Sequence, residues 1–214
     1  MHLHTHRSFD CRNRPGAILE VARARGLDRI VVTDHNEIAG AWELAALDPE
    51  RVIVGEEVKT REGFDVIGIF MRDLIPRGTP ARETCERIRE QGGVVYLPHP
   101  FDGSRSGGPA LLAALADLVD VVEVHNARCF PRSLNTRARA WAEAMGKRSG
   151  AGSDAHTIAE IGRGFVEVPP FENERESFLV ALEQGRIGGT NTSPIYRLAS
   201  IYAKLRNAAI GSRS

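Results

Sequence analysis

Short runs rich in β-branched residues alternate with helical runs along most of the chain. The apolar runs predict strands over residues 1–5, 29–33, 51–54, 65–70, 94–97, 119–124, 149–152 and 164–168. Helices are predicted between them, over 15–25, 37–46, 79–91, 109–116, 133–145 and 172–184. Pro15 falls in a first helical turn, and Gly26, Gly92 and Gly185 follow three of the helices where a C-terminal cap belongs. Strands that alternate with helices pair in parallel, so the pattern predicts an α/β fold, a barrel or a doubly wound sheet. The tail from Ser193 carries Leu198, Ile201, Tyr202 and Leu205 at helical spacing, with Arg197, Lys204 and Arg206 opposite. We read it as a closing helix packed on the barrel, in preference to a helix for a membrane surface or a partner.

Composition narrows the class. The 214 residues are 42% hydrophobic and 26% charged, which suits one large globular domain with a core of its own. The 28 basic and 28 acidic residues cancel, so no global field directs the chain to nucleic acid or membrane. On this ground neither a membrane nor long nucleic acid is expected as a partner; oligomeric state stays open. Cys11, Cys85 and Cys129 lie far apart, form no Cys-x-x-Cys pair and read as free thiols of a reducing compartment. With no secretion signal and no apolar stretch near the ~20 residues of a membrane helix, the expected location is the cytoplasm.

The chemistry lies in where the histidines and carboxylates fall. His2 and His4 alternate on the first strand, so their imidazoles project from one face. Asp154 and His156 repeat that spacing late in the chain. Asp34 and His35 end the second predicted strand, Glu56 and Glu57 the third and His99 the fifth, while Glu123 and His125 share a face at the end of the sixth. In a barrel of parallel strands these C-terminal ends meet on one rim, where active sites lie. That many buried polar groups would carry a prohibitive desolvation cost, which bound divalent cations offset. Imidazole and carboxylate donors without thiolate favour manganese, iron or zinc. The donors outnumber the four of a single tetrahedral site, so two or three metals share carboxylates, with Glu57 or Asp154 bridging.

These motifs resemble the polymerase and histidinol phosphatase (PHP) family of metallophosphoesterases. The matching stretches are His2-Leu3-His4-Thr5 with Ser8 and Asp10, Thr33-Asp34-His35-Asn36, Gly55-Glu56-Glu57, Pro98-His99-Pro100-Phe101, Glu123-Val124-His125-Asn126 and Gly152-Ser153-Asp154-Ala155-His156. They stand in the family's order from residue 2 to 156. The resemblance implies a distorted (βα)7 TIM-like barrel filling residues 1–214 as a single domain, with core motifs over 2–168 and a helical segment over about 172–210. It implies His2, His4, Asp10, His35, Glu57, His99, Asp154 and His156 as metal ligands. Asp65, standing where the family often has a histidine, and His125 are further candidates. The implied activity is hydrolysis of a small phosphate ester (a phosphometabolite, a nucleotide or a short oligonucleotide) by a metal-activated water. His99, Asp154 and His156 take the catalytic roles, and Arg128 and Arg163 fork the substrate phosphate. His6 reads as a surface or supporting residue. Lys59 and Arg105 follow strand ends as well, with less motif support than the other two cations. The rival readings are a barrel metallohydrolase acting on amides and a non-catalytic, metal-stabilised scaffold.

Overall fold

The computed structural model describes residues 1–103, 105 and 107–211. Its frame is a six-stranded sheet ordered β1 (Ile30–His35), β2 (Val52–Lys59), β3 (Asp65–Ile69), β4 (Val94–Leu97), β5 (Val121–Asn126) and β6 (Arg148–Gly152). The pairs β1–β2, β4–β5 and β5–β6 are parallel, whereas β3 runs antiparallel to both neighbours. The expected all-parallel alternation therefore fails at β3. Only the turn 60–64 joins β2 to β3, enough for a hairpin but far short of the dozen or so residues that a parallel crossover needs.

The six predicted helices are present with trimmed ends: α1 (Pro15–Ala24), α2 (Ala39–Leu47), α3 (Ala81–Glu90), α4 (Gly108–Leu115), α5 (Ser133–Ala144) and α6 (Arg175–Glu183). The tail forms α7 (Tyr196–Gly211). Two strand expectations change. The segment 164–168 does not join the main sheet: β7 (Gly164–Glu167) pairs with β8 (Arg186–Gly189), which the glycine-rich sequence conceals, in a separate two-stranded antiparallel sheet. Residues 1–5 form no regular strand, because His2 takes a left-handed φ of +62° that breaks an extended run. Leu3 alone makes a parallel bridge to Val32 on β1 and another to Ala155 just beyond β6. The curled sheet is thus drawn together through one residue between its two edges.

Strand alternation sorts the core into two layers. Val32, Val54, Val95 and Val122 pack with Ile18, Leu44, Ile88 and Leu112 from the surrounding helices. On the opposite face Val31, Ile53, Tyr96 and Val121 pack with Phe178 and Leu182 of α6. Two residues further along each strand, that second face turns polar: Val31 leads through Thr33 to His35, Ile53 through Gly55 to Glu57, and Val121 to Glu123. Glycines on β6 make room for this change. A Cβ at Gly150 would lie 2.5 Å from the Tyr96 ring, and one at Gly152 would lie 2.0 Å from Glu123 Oε1 and 2.6 Å from His2 Cβ. No helix among the described residues is long and apolar enough to cross a membrane.

Leu3 is 3% exposed and touches both sheet edges. Leu3→Ala should lower unfolding free energy by roughly 2–5 kcal/mol, the usual cost of emptying a leucine site in a core. Urea titration in chelator, which removes any metal contribution, measures it; a change under about 1 kcal/mol would mean that Leu3 does not hold the edges together.

Candidate metal centre

At the polar end of the inner face, residues far apart in sequence converge on Glu57. Its Oε2 lies 3.0 Å from His35 Nδ1, 3.4 Å from His2 Nε2 and 3.5 Å from His4 Nε2, and its Oε1 lies 3.2 Å from His99 Nε2. Asp154 faces the same space, its Oδ1 3.7 Å from both His2 Nε2 and His4 Nε2. Asp10 stands at the outer rim, with Oδ2 3.2 Å from His156 Nε2 and 3.7 Å from His35 Nε2. Three overlapping triads result: His2/His4/Asp154, His2/Glu57/His99 and His4/His35/His156, with donor atoms in each lying within 4.8 Å of one another. All eight residues that the motifs nominate are therefore in one cluster. His2, His99 and Asp154 hold left-handed φ values of +62°, +27° and +49° there, a conformation that costs of order 1–3 kcal/mol in a residue other than glycine.

Burial makes the cluster an electrostatic problem. Glu57 and Asp154 have no exposed surface, and burial alone would neutralise them. Against it, His35 and His2 hold Glu57 well below the usual carboxylate range, and Arg105 and His2 do the same for Asp154. Burial also opposes charge on the imidazoles. Glu123, Glu57 and Asp154 reverse that effect at His2, and Glu57 and Asp10 push His35 up to about 10. His4, buried between His156 and His35, is driven well below the ordinary histidine value.

Six polar atoms here are buried without a hydrogen-bond partner: His2 Nε2, His4 Nε2, Asp10 Oδ1, Glu57 Oε2, His99 Nδ1 and Asp154 Oδ1. Orphaned atoms of this kind are costly unless something binds them, and imidazole nitrogens facing carboxylate oxygens are the donor set of transition-metal sites. The residues present fit bound divalent cations.

A layer of hydrogen bonds orients the donors. Glu123 accepts from His99 N at 2.8 Å, from Asn126 Nδ2 at 2.8 Å and from the Tyr96 hydroxyl at 3.0 Å, and lies 3.0 Å from His2 Nδ1. A carboxylate on the far nitrogen of a ligating histidine fixes its tautomer and aims the other nitrogen inward. Ser8 does similar work, 3.2 Å from His4 Nδ1, while Asp34 anchors it by accepting from Ser8 Oγ, Thr5 Oγ1 and Thr5 N at 2.6–2.7 Å. Asp34 and Glu56, both strand-end carboxylates, point away from the cluster: Asp34 holds the Thr5–Ser8 turn and Glu56 accepts from Ile75 N.

Other expected residues sit elsewhere. The ladder has a bulge between Glu123 and His125, which breaks the alternation that would put both on one face. Glu123 is fully buried against His2, whereas His125 is half-buried and belongs to none of the three triads. Asp65 pairs with Lys59 Nζ at 3.2 Å and lies outside the triads. His6 is a surface residue near Glu43. The donors of Arg128 are taken by Glu160, Tyr196 O and Ser200, and Arg163 Nη1 donates to Thr190. The cation that does reach the cluster is Arg105, which donates to Asp154 Oδ2 and to Asp102 Oδ2, each at 2.8 Å. Its position in a loop, with no strand pattern to aim it, left it indistinguishable in sequence from the other arginines. A cavity of about 780 Å³ opens at the other end of the sheet among Arg29, Ile53, Phe171 and Phe178, away from these donors.

Known proteins resemble this chain in sequence and in fold. A family model described as PHP-associated matches residues 132–187. The uncharacterized proteins MJ0417 and MJ1587 of Methanocaldococcus jannaschii are similar to this chain. MJ0417 is 32% identical over 81% of this chain and 72% of its own length, and MJ1587 is 38% identical over 55% and 69%. Among solved structures, a two-domain protein of Bacteroides vulgatus containing a predicted PHP-like metal-dependent phosphoesterase has a TM-score of 0.71 at 19% identity, over 88% of this chain and 63% of that one. Endonuclease Q in complex with a 27-mer duplex bearing an abasic lesion at its active site scores 0.64 at 16% identity, over 89% of this chain and 59% of that one. An amidohydrolase of Chromobacterium violaceum shares the fold with the same score and identity, over 88% and 96%. The chain belongs to the PHP family. One expectation is overturned here. Endonuclease Q, which shares this fold over 59% of its length, is in complex with a 27-mer duplex substrate, so the expectation that long nucleic acid is no partner does not stand.

Purified protein should carry at least two transition-metal ions per chain, and Glu57→Gln should remove at least one. Because His35 holds a proton up to about pH 10, metal must displace it, so affinity should rise with pH by roughly tenfold per unit for each proton released. Elemental analysis and metal titrations at several pH values test this. Less than one equivalent, with no stabilisation on adding metal, would contradict the reading.

Proposed function

We propose that this chain hydrolyses phosphate esters at the Glu57-centred cluster and that phosphodiester bonds of nucleic acid fall within its substrate range. The observation that carries the reading is the ring of four imidazoles around Glu57, with ring nitrogens and carboxylate oxygens that nothing else satisfies. Divalent cations bound there, manganese, iron or zinc by donor type, supply Lewis acidity and an activated water. His2, His4, Asp10, His35, Glu57, His99, Asp154 and His156 are the ligands in this proposal, with Glu57 and Asp154 placed for sharing.

The chain's own groups do the rest. Arg105 presents a guanidinium beside Asp154, where it neutralises charge on a phosphoryl group and fixes its orientation. Lys59, 31% exposed and paired with Asp65, adds a second positive charge at the rim. Whichever of His99 and His156 is not fully coordinated delivers a proton to the leaving oxygen. Arg128 is not assigned to the phosphate, since its guanidinium is held against Glu160, Tyr196 O and Ser200 and not against a cluster donor; Arg163, whose Nη1 donates to Thr190, stays a candidate for it.

Manganese-loaded protein should release phosphate from monoesters or cut a labelled oligonucleotide, with inhibition by chelator and by inorganic phosphate. Asp154→Ala should cost well over tenfold in turnover. Arg105→Ala should lower kcat/KM by roughly 10²–10³-fold, the size expected for one lost charge-stabilising donor, with metal content intact. Arg128→Ala should instead lower stability, because it strands the buried Glu160. Silence on monoesters, oligonucleotides and duplexes alike, with metals occupied, would overturn the proposal in favour of an amidohydrolase or a scaffold.

A further inference from the structure

The C-terminal helix α7 is packed the wrong way round for a closing helix. Its inward face consists of Tyr196, Ala199, Ser200, Ala203 and Asn207, at spacings of three and four. Ala203 is buried at 4% exposure, Ser200 accepts from Arg128 and Asn207 donates to the Phe9 carbonyl. The large side chains face the other way. Leu198, Ile201, Tyr202 and Leu205 are 62, 54, 56 and 67% exposed, and Ile195 just ahead of the helix is 65% exposed. A helix whose small and polar residues face its own domain while Leu and Ile face solvent is shaped for something outside the domain.

Charge identifies that partner. From Gln184 to the last residue the sequence has no Asp or Glu, against five Arg and Lys. At 100° per residue, Arg197 and Lys204 fall on one flank of the apolar stripe and Arg206 on the other. A second copy fits the apolar stripe poorly on this count. The stripe is symmetric about the 201/202 peptide, so an antiparallel pair would match Leu198 with Leu205. The same pairing would bring Arg197 of one chain to Lys204 of the other, with no carboxylate on either helix. Nucleic acid would suit the cations but leave the Leu and Ile side chains without a partner. An apolar stripe flanked on both sides by cations is the pattern of a helix lying in a membrane interface, with aliphatic side chains entering the acyl boundary and Lys and Arg at headgroup level.

We infer that α7 docks the protein onto anionic phospholipid surfaces, with Leu198, Ile201, Tyr202 and Leu205 inserted and Arg197, Lys204 and Arg206 at the phosphate layer. The docked face borders the rim of the metal centre. Lys204 Nζ lies 5.6 Å from the centroid of the Phe9 ring, and that ring lies 5.2 Å from His35. Phe9 itself is 50% exposed, which extends the apolar surface toward the cluster.

The test is co-sedimentation of the full chain with vesicles of phosphatidylglycerol and phosphatidylcholine. Binding is expected to the mixed anionic vesicles at low salt and to weaken as salt rises, with little to pure phosphatidylcholine. Replacing Arg197, Lys204 and Arg206 together by Ala should lower partitioning by about 100-fold, since each cation near the surface contributes a factor of several. Leu198→Asp with Leu205→Asp should abolish it, while metal content and hydrolysis of a water-soluble ester stay unchanged. That last readout separates a failure of docking from a failure of the catalytic reading. Absence of binding to anionic vesicles at low salt would overturn the inference. So would light scattering that shows a dimer which the double aspartate variant splits, or an oligonucleotide that binds the wild type and not the triple Ala variant in place of vesicles.

Discussion

Ionised carboxylates in a space closed to water dominate this structure. Glu57 and Asp154 have no exposed surface, yet nearby imidazoles and Arg105 hold both in the charged form. An isolated buried carboxylate would take up a proton instead. Here the imidazoles cannot all balance the charge by protonation, because His4, crowded by burial and by two other histidines, is forced toward neutrality. A neutral imidazole beside an ionised carboxylate is the state in which both donate electron pairs to a cation. Metal binding is then the arrangement that resolves the buried charge.

The convergence of the donors rests on the strand period. Each inner strand face is apolar where α6 packs and becomes polar two residues before the strand ends, so one alternation builds both the hydrophobic floor and the donor layer. The glycines of β6 admit Tyr96, Glu123 and His2 to the same layer, at the cost of side-chain packing from that strand. Left-handed backbone at His2, His99 and Asp154 turns the side chains further inward, and the hydrogen bonds of Glu123, Ser8 and Asn126 keep them there. Strain in the donor loops is thus offset by packing and hydrogen bonds behind them.

The sequence made the donors legible because His-x-His, Asp-x-His and strand-end His and Glu report on one face or one rim through the period of two. Glu57 could be distinguished from Glu56 only by its motif, and the geometry explains the difference: Glu56 falls on the outer face against Ile75. The failures have a common cause, since local irregularity breaks the period. A bulge turned His125 away from Glu123, a short turn reversed β3, and a positive φ reduced the first strand to the single residue Leu3. Arg105 lay beyond this kind of reading because no periodic element fixes its direction. The α7 helix was legible as a helix but not in its orientation. Its amphipathic pattern suited a buried apolar face, and only the contacts of Ala203, Ser200 and Asn207 show that the domain takes the small face instead.

The central claim is that this cluster is a multinuclear metal site, and anomalous diffraction from crystals grown with manganese tests it most directly. At least two peaks roughly 3.5–4 Å apart are expected, the spacing of paired catalytic ions. One should lie among His2, His4, Glu57 and Asp154, and another toward His35, His156 and Asp10. A map with no anomalous density in this space, or with manganese only at surface carboxylates, would contradict it.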